Sequence, residues 1–305
     1  MATSVSRIAA PDSPVGCVAM AALLTTAVAA ILAACAAAGF APGWPRMVAA
    51  VAAMFFGFKA ATLFRVDAQT LRRTDAPTTT PFIARTFPRL IAYLFLWPGM
   101  DPTPFTASPR PTAKLDPCIA LGAGKMAAGA AILLIALRID LPLIARVWLA
   151  MAAVLLIVHM GLFDVLAGFW RRVGFPVERI CPGPWRSVSV SEFWARRWNV
   201  AFHAFARDCV YRPVARRFGR TAAIAAVFLV SGLAHELAIS FPAGGGYGLP
   251  TLYFALHGAI VLFEKCGWLT GRRWTTAFFV IGPLPFLFHP AFIANVVLPL
   301  SRGAP

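Results

Sequence analysis

Acidic side chains and lysine are what this sequence most lacks. Asp and Glu number 12 in 305 residues, and the four charged types together make up 13%, against about 25% in an ordinary soluble domain. A surface so short of charge excludes a water-soluble globular protein of this length. Only four of the 28 cations are lysine (Lys59, Lys114, Lys125, Lys265); the other 24 are arginine, a bias that points to a GC-rich, bacterial gene. Cysteine is sparse and scattered: Cys17, Cys35, Cys118, Cys181, Cys209 and Cys266 form no CxxC pair. That spacing argues against a zinc site or a disulfide framework and fits small buried hydrophobes. No cluster of residues suited to holding a metal is seen. Also missing is a pair of Gly/Pro-broken helices repeated in two halves, the signature of an inverted-repeat carrier.

What the chain has in excess is hydrophobicity, 59% of its residues. About 20 apolar residues in a helix span the roughly 30 Å hydrocarbon layer. Such runs occur at Gly16–Phe40, Met47–Phe64, Cys118–Leu137, Val147–Phe169, Thr221–Phe241, Pro250–Phe263 and Thr275–Leu300. The sixth reaches crossing length only with Tyr247-Gly248-Leu249 added. A shorter run, Phe87–Trp97, is bounded by Pro88 and Pro98 and reads as an in-plane or re-entrant segment. Gly16–Phe40 is too long for a signal-peptide core of about 7–15 residues. Leu32-Ala33-Ala34-Cys35 has the look of a lipoprotein cleavage box, but the later spans already anchor the chain, so the run reads as a first crossing. The expectation is an all-α, polytopic membrane bundle of about seven helices, forming one domain across 1–305.

A net charge of +16 suggests nucleic acid in a soluble protein, but here the cations sit between the apolar runs, so no nucleic-acid partner is expected. Arg65–Lys114 carries seven cations, Arg171–Arg220 eleven arginines and Lys265–Arg273 three more cations, whereas Ala41–Arg46, Arg138–Arg146 and Pro242–Leu249 together hold only Arg46, Arg138 and Arg146. Rich and poor loops alternate if there are seven crossings. The positive-inside rule then puts the N-terminus and the basic loops in the cytoplasm of a bacterial inner membrane.

Chemistry-bearing residues concentrate in two places. Ser189–Arg212 opens on a capping box, Ser189 three residues before Glu192. As one helix it would carry Trp194, Trp198, Phe202, Phe205 and Cys209 on one face and Glu192, Arg196, Asn199, His203 and Arg207 on the other. That pattern predicts an amphipathic helix lying in the bilayer interface. Asn199, an uncharged amide beside a Trp, suits an anchor poorly. Thr221–Phe241 is apolar except for Ser231, His235, Glu236 and Ser240. A polar group at that depth costs several kcal/mol unless it meets a partner or a cavity, and imidazole is the side chain best matched to moving a proton near neutral pH. A serine at 231 is more often bonded back to its own helix than nucleophilic. His159 and Asp164, and His257 with Glu264 seven residues on, are further polar groups at membrane depth, more readily structural than catalytic. Lys59 and Lys125 can snorkel to an interface.

The run Ser191-Glu192-Phe193-Trp194-Ala195-Arg196-Arg197-Trp198-Asn199, then Val210-Tyr211-Arg212-Pro213, then Ser231-Gly232-Leu233-Ala234-His235-Glu236 resembles the wax synthase branch of the membrane-bound O-acyltransferases. Gly161–Gly174 and His257-Gly258 with Glu264 are similar too, so the resemblance covers about Trp97 to Phe263. It implies transfer of a fatty acyl group from acyl-coenzyme A, a co-substrate and not a bound cofactor, to a lipid-like alcohol within the bilayer. Carried over, His235 is the general base and Asn199 its assistant. Arg196 and Arg207 are expected to attract the coenzyme A phosphates, and Ser231, Glu236, His257 and Glu264 are candidates to line the cavity. No metal is implied. The acceptor alternatives are diacylglycerol, a sterol or a glycan hydroxyl. A different class of reading, a proton-coupled transporter, would use His235, Glu236 and Glu264 as a relay.

Overall fold

The computed structural model describes residues 39, 41–73, 87–106, 109–269 and 272–301. The expected first crossing therefore lies outside the described residues except for Gly39. The elements are helical, with no strand among the described residues. In chain order they are α1 (Trp44–Arg73), α2 (Phe87–Leu96), α3 (Pro117–Arg138), α4 (Leu143–Val173), α5 (190–197), α6 (Val200–Ala243), α7 (Leu249–Lys265), α8 (Thr275–Leu287) and α9 (Pro290–Val297).

Four helices are long and apolar enough to cross a membrane: α3, α4, α6 and the Trp44–Leu63 part of α1. A fifth follows if α8 and α9, bent by 62° at His289, form one span. The expected count of seven is thus not reached among the described residues. At 17 residues α7 lies at the lower limit of crossing length, and α2, at 10 residues, is too short to cross, as its flanking prolines predicted.

The helix ends follow local chemistry. Asp116 caps α3 by accepting from the Cys118 amide at 2.8 Å, with Pro117 in the first turn where its missing N–H costs nothing. Gly174, at φ 108, closes α4 in the left-handed region that glycine enters without steric cost. Between these ends α3 and α4 approach closely: a Cβ on Gly122 would lie 2.6 Å from the Gly161 carbonyl, and one on Gly129 3.0 Å from that of Ala153. Lipid tails are as apolar as leucine, so such small-residue contact is what holds membrane helices together.

Two lysines stand where an interface was expected. Lys59 is 0% exposed and donates to the carbonyls of Trp97 and Gly99 at 2.7 and 2.9 Å, as well as to that of Tyr93. It satisfies the orphan carbonyls at the end of α2, where a cation also complements the helix dipole. Lys125 points inward from α3 to Asp164 of α4. Neither snorkels, because each has a dedicated partner in the interior.

The connections segregate by charge. Gly43 donates to Pro242 O at 2.8 Å, Asn295 Nδ2 to Ala243 O at 2.8 Å, and Trp148 meets Phe288 at 6.1 Å, which gathers the cation-poor links at one end. At the other end Arg110 donates to Gly174 O at 3.2 Å and Thr112 to Arg172 O at 3.1 Å, while Glu264 accepts from Val190 and Ser191.

Candidate active site

The segment expected to be a single interface helix is two helices. Ser189 does cap α5, its hydroxyl accepting from the Glu192 amide at 2.9 Å. The Val188 amide and the Arg197 guanidinium hold the Glu192 carboxyl below the usual carboxylate range. At Trp198 the backbone turns extended, and Asn199 adopts φ 42, ψ 56, making it the one non-glycine residue with positive φ among those described. Asparagine tolerates this region better than most residues because its short polar side chain bonds locally. Here Oδ1 accepts from the Phe202 amide at 3.3 Å and so caps α6. The predicted single-face arithmetic fails at this break, since residues before and after it belong to different axes. What begins at Val200 runs to Ala243, but Gly219, at φ 83 and ψ 173, breaks it, so the interface segment and the His235 span are two helices joined at a kink.

His235 ends the regular part of α6, immediately before a π-helical turn at Glu236–Ser240, a feature that recurs at functional sites. Its Nδ1 lies 2.7 Å from Ser231 O. A carbonyl only accepts, so Nδ1 carries the hydrogen and Nε2 of the neutral ring keeps the lone pair. The ring is half-buried and rests on Phe254 at 4.3 Å. From there an aromatic wall leads back to the break: Phe254 to Trp194 at 5.3 Å, Trp194 to Phe193 at 5.1 Å, and Phe193 stacked on Trp198 at 5.7 Å.

The other expected residues divide by what they touch. Ser231 donates to Val227 O at 2.8 Å within its own helix. Glu236 Oε1 accepts from the amides of Gly248 and Thr251, each at 3.0 Å, and from the Thr251 hydroxyl at 2.8 Å, capping α7 from outside. Glu264 does the same for α5, accepting from the Val190 and Ser191 amides at 2.7 and 2.8 Å and from the Ser191 hydroxyl at 2.6 Å. His257 is 0% exposed, bonds Tyr253 O at 2.8 Å and meets Trp194 at 5.5 Å; it shares the aromatic wall with His235, whereas Glu264 does not. Arg196 is exposed. Arg207 forks on Asp208 at 2.9 and 3.2 Å, and Asp208 also holds Arg212.

Trp194 was assigned to the apolar face, and its indole N–H is buried without a partner. No signal in the sequence separates such a donor from an anchor. Burial pushes the Cys181 thiol, in the 174–189 connection, up to about 11, so it is a neutral thiol and no nucleophile.

Residues 178–256 match the membrane bound O-acyl transferase family, a stretch that holds Arg196, Asn199, Arg207, Ser231, His235 and Glu236 but stops one residue before His257. The chain is 31% identical over 143 residues to probable long-chain-alcohol O-fatty-acyltransferase 2 of Arabidopsis thaliana, covering 41% of this chain and 42% of that protein. Over 101 residues it is 35% identical to probable long-chain-alcohol O-fatty-acyltransferase 1 of the same plant, 30% of each chain. Sterol O-acyltransferase 2 of Rattus norvegicus is 36% identical over 93 residues, 30% of this chain and 18% of that protein. The chain thus spans less than half the length of each of these relatives. Residues 178–256 are similar to the membrane bound O-acyl transferase family, and the relatives matched include proteins named for the wax-ester-type activity that the motifs resemble.

Proposed function

We propose that this integral membrane protein transfers a fatty acyl group from acyl-coenzyme A to the hydroxyl of a lipid-like alcohol. One observation carries the reading: His235, at membrane depth on α6, has Nδ1 fixed on the Ser231 carbonyl at 2.7 Å, which leaves Nε2 as a base with a set direction. As the alcohol oxygen attacks the thioester carbon, its proton passes to Nε2. The tetrahedral intermediate then collapses, the C–S bond breaks, and the thiolate takes the proton back from Nε2–H. The products are the ester and free coenzyme A thiol, and the imidazole returns to neutral.

Asn199 acts best as a donor in this scheme. Its Oδ1 is engaged by the Phe202 amide, so Nδ2 is the atom left to serve the developing oxyanion, where one such donor contributes about 3 kcal/mol. Orienting His235 is work already done by Ser231 O. Arg196 and Arg207 are assigned to the coenzyme A phosphates at the cation-rich end, with that end and the N-terminus cytoplasmic. The transporter relay is less well supported, since Glu236 and Glu264 each hold a helix N-terminus.

The test supplies purified protein with one labelled long-chain acyl-coenzyme A and, separately, a long-chain primary alcohol, a sterol and diacylglycerol. Ester should form with the primary alcohol, and His235→Ala should lower its rate by about 10²-fold or more at wild-type folded yield. A well-folded His235→Ala protein with undiminished rate would end this mechanism. Preference for the sterol would move the chain toward the activity named for its rat relative.

A further inference from the structure

The chemistry above leaves a buried ion cluster unused. Asp164, in α4, is 1% exposed; Lys125 Nζ reaches its Oδ2 at 2.5 Å. Arg179 adds a fork, Nε to Oδ1 at 2.8 Å and Nη2 to Oδ2 at 2.7 Å. Lys125 alone would neutralise the carboxylate, and buried ion pairs contribute little net stability once desolvation is counted. The second cation therefore calls for a reason other than charge balance.

That reason lies in where Arg179 sits. It belongs to no membrane helix but to the connection between α4 and α5, and the next three residues support the break at Asn199. Val200 N–H donates to Ile180 O at 2.9 Å, the backbone N–H of Asn199 faces the Cys181 sulfur, and Arg197 Nη1 reaches Pro182 O at 3.4 Å. Asparagine enters the left-handed region at modest cost, so what holds Asn199 there is its own cap on the Phe202 amide together with these contacts. The surroundings here are a strand of loop fastened at one end, by a bidentate fork, to a carboxylate inside the bundle.

We infer that Arg179 is a positioning residue: its fork on Asp164 fixes residues 180–182, which hold Asn199 in the geometry that presents Nδ2. The inference rests on the reading of Asn199 as the oxyanion donor, and it assigns Asp164 and Lys125 as the anchor. The contact Lys125–Asp164 sets the carboxylate, and the fork transmits that placement across the connection.

The decisive measurement is a double-variant cycle in kcat on detergent-purified full chain, with Arg179→Met, Asn199→Ala and the pair. Arg179→Met keeps Asp164 paired with Lys125 and strands no charge. It should lower kcat about 10-fold or more, since small displacements of a catalytic group carry losses of this order, with the KM for acyl-coenzyme A unchanged. In the Asn199→Ala background the same substitution should bring no further loss. Arg179→Lys keeps the charge but not the fork, so it should fall between wild type and Arg179→Met; it also carries the test should the methionine variant fold poorly. Full kcat in either Arg179 variant, or losses that multiply with Asn199→Ala, would overturn the inference while leaving the Asn199 reading standing. Wild-type kcat in Asn199→Ala itself would remove the donor reading, and the inference with it.

Discussion

At the scale of single residues, hydrogen-bond direction separates groups that the sequence presents as alike. His235 and His257 both bond the carbonyl four residues earlier, yet only His235 retains partial exposure. His289, fully buried, sits 3.4 Å from the Ser240 hydroxyl and resembles a base beside a nucleophile. Its Nδ1, however, accepts from the Phe292 amide, so Nε2 carries the hydrogen and cannot take one from serine. The two arginines assigned to phosphate also differ. Arg207 is already forked on Asp208, whereas Arg196 projects from the surface near Glu192. Arg196→Ala should raise the KM for acyl-coenzyme A on the order of tenfold, the scale of one charge-assisted hydrogen bond, and Arg207→Ala should raise it less. Equal KM values for wild type and both variants would remove the arginines from substrate binding and leave them as interface charges.

Elements are held to one another by backbone contact and by carboxylates used as caps. Glycine at 122 and 124 gives an internal comparison within one turn of α3. An added Cβ at Gly122 meets the Gly161 carbonyl at 2.6 Å and the Val165 amide at 2.8 Å, while at Gly124 nothing lies within 4 Å. Overpacking against backbone costs about 1–3 kcal/mol, and Gly→Ala at an open helical site gains roughly 0.5–1 kcal/mol. Thermal unfolding in detergent should therefore place Gly122→Ala below wild type and Gly124→Ala at or above it. Two equal midpoints would show that α3 and α4 are not in contact as described. Pattern alone located the apolar runs, but it treated 189–212 as a continuous helix because the 100° period has no means of registering one left-handed residue. Ser189 and Glu192 announced the helix start correctly; nothing comparable announced that Asn199 would begin another.

For the whole molecule, charge and connectivity agree. The cation-poor links 43–46, 138–146 and 242–249 fall at one end, and the cation-rich connections around 110–116 and 172–192 fall at the other. With Cys266→Ser as background, a membrane-impermeant thiol reagent added to intact cells should label Tyr247→Cys, whose parent side chain is 62% exposed, and spare Arg186→Cys. Labelling of Arg186→Cys alone would invert the orientation.

The membrane class, the helical fold, the alternation of basic loops and the His235 motif follow from the sequence by itself. Each depends on composition or on residues close together along the chain, and hydrocarbon tolerates few alternatives to a helix. Tertiary structure decided what the buried polar groups do. Glu236 and Glu264 became caps for helices 12 and 74 residues away. Lys59 and Lys125 turned inward to carbonyls and to Asp164. Arg179, one of eleven arginines in its stretch, became the partner of a buried carboxylate. A charge in a low-dielectric interior must find its counterpart wherever the packing brings one, and sequence distance carries no record of where that is.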